Sequence, residues 1–148
     1  MQTAYNVDPA RGVVGGIAES GGKTIRARVA NGVVRPGQYV ILAGDECNHP
    51  VAAPTAQNRG GIVVRNPYKQ NNGVYADGEV VDVLVEGNIW VASEIAASVD
   101  TAAFVRITAP GELGALRPDA DTAKAVAIPG LTFRSAGTAL VLLEVAHL

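Results

Sequence analysis

Glycine and proline punctuate this chain every few residues: seventeen glycines and eight prolines in 148 residues leave almost no uninterrupted stretch long enough for a helix of several turns. Glycine costs a helix interior about 1 kcal/mol and proline about 3 kcal/mol, whereas both suit the turns between short strands. The apolar residues between the breaks are mostly valine and alanine, with one methionine and 5% aromatics. A valine-rich chain cut at short intervals predicts an all-β domain, a sandwich or small barrel. Its length fits a single domain that buries roughly two-thirds of its unfolded surface.

Along the chain, residues 1–22 read as an extended N-terminal arm, since Asp8-Pro9, Gly15-Gly16 and Gly21-Gly22 break every periodicity. The remainder, 23–148, reads as one β domain. Thr24 to Ala30 alternates, with Ile25, Ala27 and Val29 expected inward and Thr24, Arg26 and Arg28 outward. Asn31-Gly32 predicts a tight turn into a strand at Val33-Val34, and Arg35-Pro36-Gly37 turns the chain into Tyr39-Val40-Ile41-Leu42. A loop is expected from Ala43 to Gly61 and a strand from Ile62 to Arg65. Glu79 to Val85 and Ile89-Trp90-Val91 suggest a hairpin turning at Glu86-Gly87-Asn88. Residues 92–99 are the one place for a short helix. Further strands are expected over 103–107, 123–128 up to Pro129-Gly130, 132–134 and 139–145.

Charge excludes some functions. The net charge of −2 lacks the basic stripe of a general nucleic-acid binder. It is unevenly spread: residues 1–74 carry eight Lys/Arg against four Asp/Glu, and residues 75–148 carry four against ten. Such polarity can steer complementary surfaces together. A single cysteine, Cys47, rules out an internal disulfide framework. The first residues show no signal-peptide pattern, and no apolar run approaches the roughly 18–20 residues of a membrane-spanning helix, so synthesis in a reducing cytoplasm is expected.

Motifs for chemistry are incomplete. Gly21-Gly22-Lys23-Thr24 ends like a phosphate-binding loop, but Ile17 stands where the first glycine is needed and a strand-like alternation follows. Cys47 and His49 lack further zinc ligands, the one other histidine being His147. They also lack an orienting third group for nucleophilic catalysis. Asp77, Glu79, Asp82 and Glu86 cluster in sequence, yet a glycosidase pair would flank a groove with aromatic platforms, and seven aromatics are few for that. No catalytic residue, cofactor or metal is expected. Arg26, Arg28, Arg35, Arg59 and Arg65 offer planar forks suited to carboxylates on a partner protein.

From Gly61 to Val145 the order of segments is similar to one known family. Gly61-Ile62-Val63-Val64-Arg65 is followed by a tyrosine-containing polar stretch, Tyr68 to Tyr75. Gly78-Glu79 then leads through to Gly87-Asn88-Ile89-Trp90-Val91. Val105-Arg106-Ile107-Thr108 precedes a glycine-rich loop, and Ile128-Pro129-Gly130-Leu131-Thr132-Phe133-Arg134-Ser135-Ala136-Gly137 leads into the closing strand Ala139 to Val145. This pattern resembles the structural cement (capsid decoration) proteins of tailed bacteriophages, over about two-thirds of the chain plus a similar glycine-broken arm. The resemblance implies a barrel or jelly-roll-like body, and a non-enzymatic protein on the outer surface of the virion capsid. It implies the phage major capsid protein as partner, and self-association as a dimer or trimer at local symmetry axes. It implies no nucleic acid, membrane or small-molecule substrate. Interaction candidates are Tyr5, Arg11, Arg26, Arg28, Arg65 and Trp90. Other classes that the sequence leaves open are a glycan-binding adhesin, a tail or connector component of the virion, and a small β-barrel enzyme using Cys47 and His49.

Overall fold

The structure, a computed structural model, describes residues 13–18, 22–51, 59–69, 73–109 and 111–146. It is all-β, with no α-helix among these residues. In chain order the strands are β1 (Thr24–Ala30), β2 (Tyr39–Ala43), β3 (Glu46–Asn48), β4 (Gly60–Val63), β5 (Val80–Val91), β6 (Thr101–Arg106), β7 (Leu116–Arg117), β8 (Ala125–Phe133) and β9 (Val141–Val145). Neighbours run β1-β3-β2-β4-β5, and β5 returns to β1, so these five close a barrel. From β5 a second sheet continues as β9-β8-β6-β7. All pairs between named strands are antiparallel except β1–β3. A parallel bridge between Ser93 and Leu116 curls the far edge of the second sheet back toward the segment leaving β5.

Strand β5 serves both sheets. Its first half pairs with β1, and Gly87–Val91 pair with β9. The expected hairpin at Glu86-Gly87-Asn88 is therefore a continuous twelve-residue strand. A register shift there sets Thr24 opposite Glu86 and Ile25 opposite Leu84, leaving Val85 as an extra, bulged residue. A bulge bends the strand and resets which side chains face inward. Gly87, at φ +134°, continues the bend, and a Cβ there would lie 3.2 Å from Lys23 Cβ and 3.3 Å from the Gly22 carbonyl. The glycine that reads as a turn is thus a close approach to β1's lead-in.

The bulge separates two cores. Val81, Val83 and Val85 fill the barrel with Ala30, Val34, Val40, Cys47, Val63 and Tyr75. Leu84, Ile89 and Val91 face the other way, into a larger core between the barrel wall and the second sheet, with Tyr39, Ile62, Leu131, Phe133 and Leu143. Strands of the shared wall are apolar on both faces: Tyr39 and Ile41 look to the larger core, Val40 and Leu42 to the barrel. Burial on both faces explains why β2 reads as a continuous apolar run rather than an alternation.

Strand β1 alternates as expected with its faces reversed. Arg26 and Arg28 stand opposite Val83 and Val81, which point into the barrel, whereas Ile25 and Ala27 stand opposite Leu84 and Asp82 and are exposed. Directly opposed residues of an antiparallel pair share a face, so the arginines lie on the barrel side. The assignment inverts because β1 pairs with β3 only at Val29 and Ala30. Beyond that point its barrel face is not sealed by β3, and long side chains reach out of it.

Other expectations shift locally. β3 lies inside the expected 43–61 loop and pairs with β2; Val34 makes a single bridge to Tyr75 instead of a strand. Ser93 and Ala97 make isolated bridges where a short helix was possible. β8 runs through Pro129-Gly130, whose place between the β6-paired segments leaves no ladder bond for proline to break. The Arg35–Gln38 turn follows the sequence: proline precedes Gly37 at φ +83°, and Gln38 N–H donates to the Arg35 carbonyl at 3.3 Å, a type II geometry.

Candidate functional site

The predicted interaction residues fall in two places. Arg26 and Arg28 share one face of β1. Arg28 Nη1 donates to the Ala27 carbonyl at 2.7 Å, and its Nε is buried without a partner. Arg65 and Trp90 meet through the chain segment 13–18. Gly15 N–H donates to Trp90 O at 2.7 Å, Trp90 N–H to Gly16 O at 2.9 Å, and Arg65 N–H to Gly15 O at 2.8 Å. Trp90 is half-buried on the face opposite Ile89 and Val91. A Cβ on Gly15 would lie 2.4 Å from Pro36 Cβ, so glycine alone lets this segment lie flat there. Tyr5, Arg11 and His147 lie outside the described residues.

Cys47 and His49 do not form a reactive pair. Cys47 is fully buried in the barrel core, and burial pushes its thiol pKa up, away from the nucleophilic thiolate. His49 instead lines a shallow cleft of about 190 Å³ with Gln38, Glu112 and Leu113. Its Nε2 lies 2.7 Å from the Val33 carbonyl, so that nitrogen carries the hydrogen, and Nδ1 is buried without a partner. Glu112 accepts from Gln38 Nε2 at 2.9 Å and pairs with Arg35 at 3.4 Å. Lys23 is followed by strand β1 rather than by a helix, which removes the scaffold of a phosphate-binding loop. Among the described residues no group of His, Cys, Asp and Glu is arranged to hold a metal ion, and no helix is long and apolar enough to cross a membrane.

The densest polar cluster was not singled out by the sequence. Arg106, at the end of β6, and Arg117, in β7, are both buried. Arg106 donates to Glu94 from Nε at 2.9 Å and to Asp121 from Nη2 at 2.6 Å. Arg117 reaches Glu94 at 3.1 Å, Asp119 at 2.6 Å and Asp121 at 3.2 Å. Hydrogen bonds that Arg106 donates to Glu94 and Asp121 raise its pKa. Those from Arg117 and Arg106 hold Asp119 and Asp121, respectively, below the ordinary aspartate value. The cluster clamps a turn in which Asp121, Thr122 and Ala123 all have positive φ, at +43°, +52° and +69°. Each such residue costs roughly 1–2 kcal/mol, which the two arginines offset. An arginine flanked by Val105 and Ile107, ahead of an Asp-x-Asp segment, was the available signal. Every charge in the cluster has a partner, so it acts as a structural tie.

Residues 1–147 match the family model described as structural cement protein (E217 gp24/Pam3 gp6).

The chain belongs to the phage structural cement protein family.

A virion structural role follows from that membership, in a family that is non-enzymatic in general. No curated protein matches the sequence. A chain from the solved capsid of Myoviridae phage XM1 shares the fold of this cement-family chain. It superposes with a TM-score of 0.78 at 16% identity, covering 99% of this chain and 97% of that one.

Proposed function

We propose that this protein binds the outer surface of a tailed-phage capsid and stabilises the shell by bridging major capsid protein subunits, as a dimer or trimer at local symmetry axes. The observation that carries this reading is the family match over residues 1–147. The fold is consistent with it: β5 ties two sheets into one body, and the charged cluster fastens loops instead of opening a reactive pocket. In this reading residues 1–22 act as an arm and 23–148 as the body. The backbone bonds of residues 13–18 to β5 anchor the arm's root, leaving Tyr5 and Arg11 to contact a neighbour. Arg26, Arg28, Arg65 and Trp90 supply further contacts; arginine and tryptophan are enriched among residues that dominate interface energies. Each copy needs only modest affinity, because binding to the assembled lattice alone favours that lattice by mass action.

The test is to mix purified protein with expanded, undecorated shells and image them by electron cryo-microscopy. Ordered density on the outer surface is expected, and bare shells at saturating protein would refute the reading. Density at a portal or tail, in few copies per particle, would assign the chain to a connector or tail role instead.

A further inference from the structure

Strand β1 is paired unequally along its two edges. Toward β5 it is paired from Thr24 to Val29. Toward β3 it is paired only where Val29 and Ala30 meet Glu46 and Cys47. The bonded residues fix the direction of the rest. Val29 N–H donates to the Asp45 carbonyl on the β3 side at 2.8 Å, and Ala30 N–H to the Glu79 carbonyl on the β5 side at 2.8 Å. Successive residues of a strand present their N–H and C=O to alternate edges. Ile25 and Ala27 therefore aim theirs at the edge that β3 leaves open, while Arg26 and Arg28 bond toward β5. Among the described residues nothing pairs with the Ile25 backbone or the Ala27 N–H at that edge. Its surroundings are clear as well. A Cβ added at Gly22, just before the strand, or at Gly44, at the tip of the β2–β3 hairpin, would meet no atom within 4 Å.

One group of this edge is covered, and by the strand itself. Arg28 Nη1 donates to the Ala27 carbonyl at 2.7 Å, and its Nε is buried without a partner. Arg26 makes no hydrogen bond or ion pair with any described residue. The neighbouring acids do not meet them: Asp82 stands opposite Ala27, on the outer face, and Glu86 is already engaged. An unpaired edge is a template for any extended chain, and the two arginines select which. Two copies of β1 laid side by side would set Arg26 against Arg28 on one face, and like charges directly opposed are destabilising. A strand with carboxylates at alternate positions would instead meet two planar forks that no other acid occupies.

We propose that β1 accepts an extended segment of the shell protein as an added strand, bonded to the backbone of Ile25 and Ala27. Opposed residues share a face, so the segment alternates two kinds of side chain. Its acidic residues take Arg26 and Arg28 on the barrel face, and its apolar residues cover Ala27 and Ile25, which is 37% exposed, on the outer face. Arg28 leaves the Ala27 carbonyl as an incoming N–H replaces it. In this mode of recognition main-chain bonds supply affinity and alternate side chains supply selectivity. This rests on the capsid-binding reading above and adds the edge that makes the contact and the chemistry it selects.

Hydrogen–deuterium exchange of the full chain, free and bound to expanded shells, tests it. The Ile25 and Ala27 amides are expected to exchange at least about tenfold more slowly in the bound state. Ala27→Pro removes an open-edge donor without breaking a bond to β5, and Arg26→Glu with Arg28→Glu reverses the charge. Each is expected to weaken shell binding at least about tenfold. The charge-reversed variant keeps every ladder bond, so its thermal midpoint is expected to be unchanged. Should the proline variant fail to fold, exchange in the wild type still decides. Decorated shells on which Ile25 and Ala27 exchange as fast as in the free chain overturn the strand addition and leave the capsid reading standing. Charge reversal that weakens binding without such protection means that the arginines meet the shell by side chain alone, which overturns it equally. Bare shells refute both.

Discussion

Arg106 lies 2.9 Å from Glu94 and 2.6 Å from Asp121, with little of its own side chain exposed. Removing one member of a buried pair leaves the others desolvated and unpaired, which costs about 3–5 kcal/mol. Glu94 and Asp121 retain some solvent access, so Arg106→Ala is expected to cost about 3 kcal/mol, at the lower end of that range, in chemical denaturation. The same cluster sets an acid limit. Asp119 and Asp121 have folded-state pKa values below their ordinary 3.8, chiefly through hydrogen bonds from Arg117 and Arg106. A depressed carboxylate contributes its full stability above the unfolded value and loses it as pH falls through the folded one. Thermal midpoints should therefore drop below about pH 4, and Asp121→Asn should flatten that drop while lowering the midpoint at neutral pH. Tyr39 behaves oppositely: its hydroxyl is buried in the larger core without a partner, and burial raises its pKa. Leaving such a group unsatisfied costs about 1–3 kcal/mol, so Tyr39→Phe is expected to leave the thermal midpoint unchanged or raise it.

At the scale of elements, β5 shows what the sequence made legible and what it did not. Turns set by proline and glycine at Arg35-Pro36-Gly37 were readable because the residue types dictate the dihedrals. The strand Thr24–Ala30 was readable because its period is two. Its facing was not, because the side that holds Arg26 and Arg28 is decided by how far β3 extends, which is a tertiary fact. Glu86-Gly87-Asn88 carries the composition of a turn, and only pairing with β9 beyond it reveals a bent strand. Trp90 and Arg65 were named as interaction candidates, yet their meeting depends on Gly15, which lies seventy-five residues before Trp90 in the chain. The Arg106 cluster stayed hidden because its acids, Glu94 and the Asp119–Asp121 pair, come from two segments that converge only after folding. Gly87 itself gives the test: φ +134° disfavours any side chain, and strained residues of this kind cost about 1–3 kcal/mol. Gly87→Ala is expected to destabilise by about that amount, read as a lower denaturation midpoint.

The whole molecule has two cores and one wall between them. Strands β2, β4 and β5 each place side chains in both, so neither core survives the loss of the other. The chain is expected to unfold in a single transition, with calorimetric and van't Hoff enthalpies that agree. A resolved second transition would show that the barrel and the outer sheet fold separately. The shared strand also decides how the body answers mechanical load. Tension entering through the barrel and leaving through the far sheet runs in large part lengthwise along β5, from its ladder with β1 to its ladder with β9. Pulled that way, the rungs on either side are sheared together rather than peeled one after another. A rivet under strain from a pressurised container would yield only when many of them fail at once.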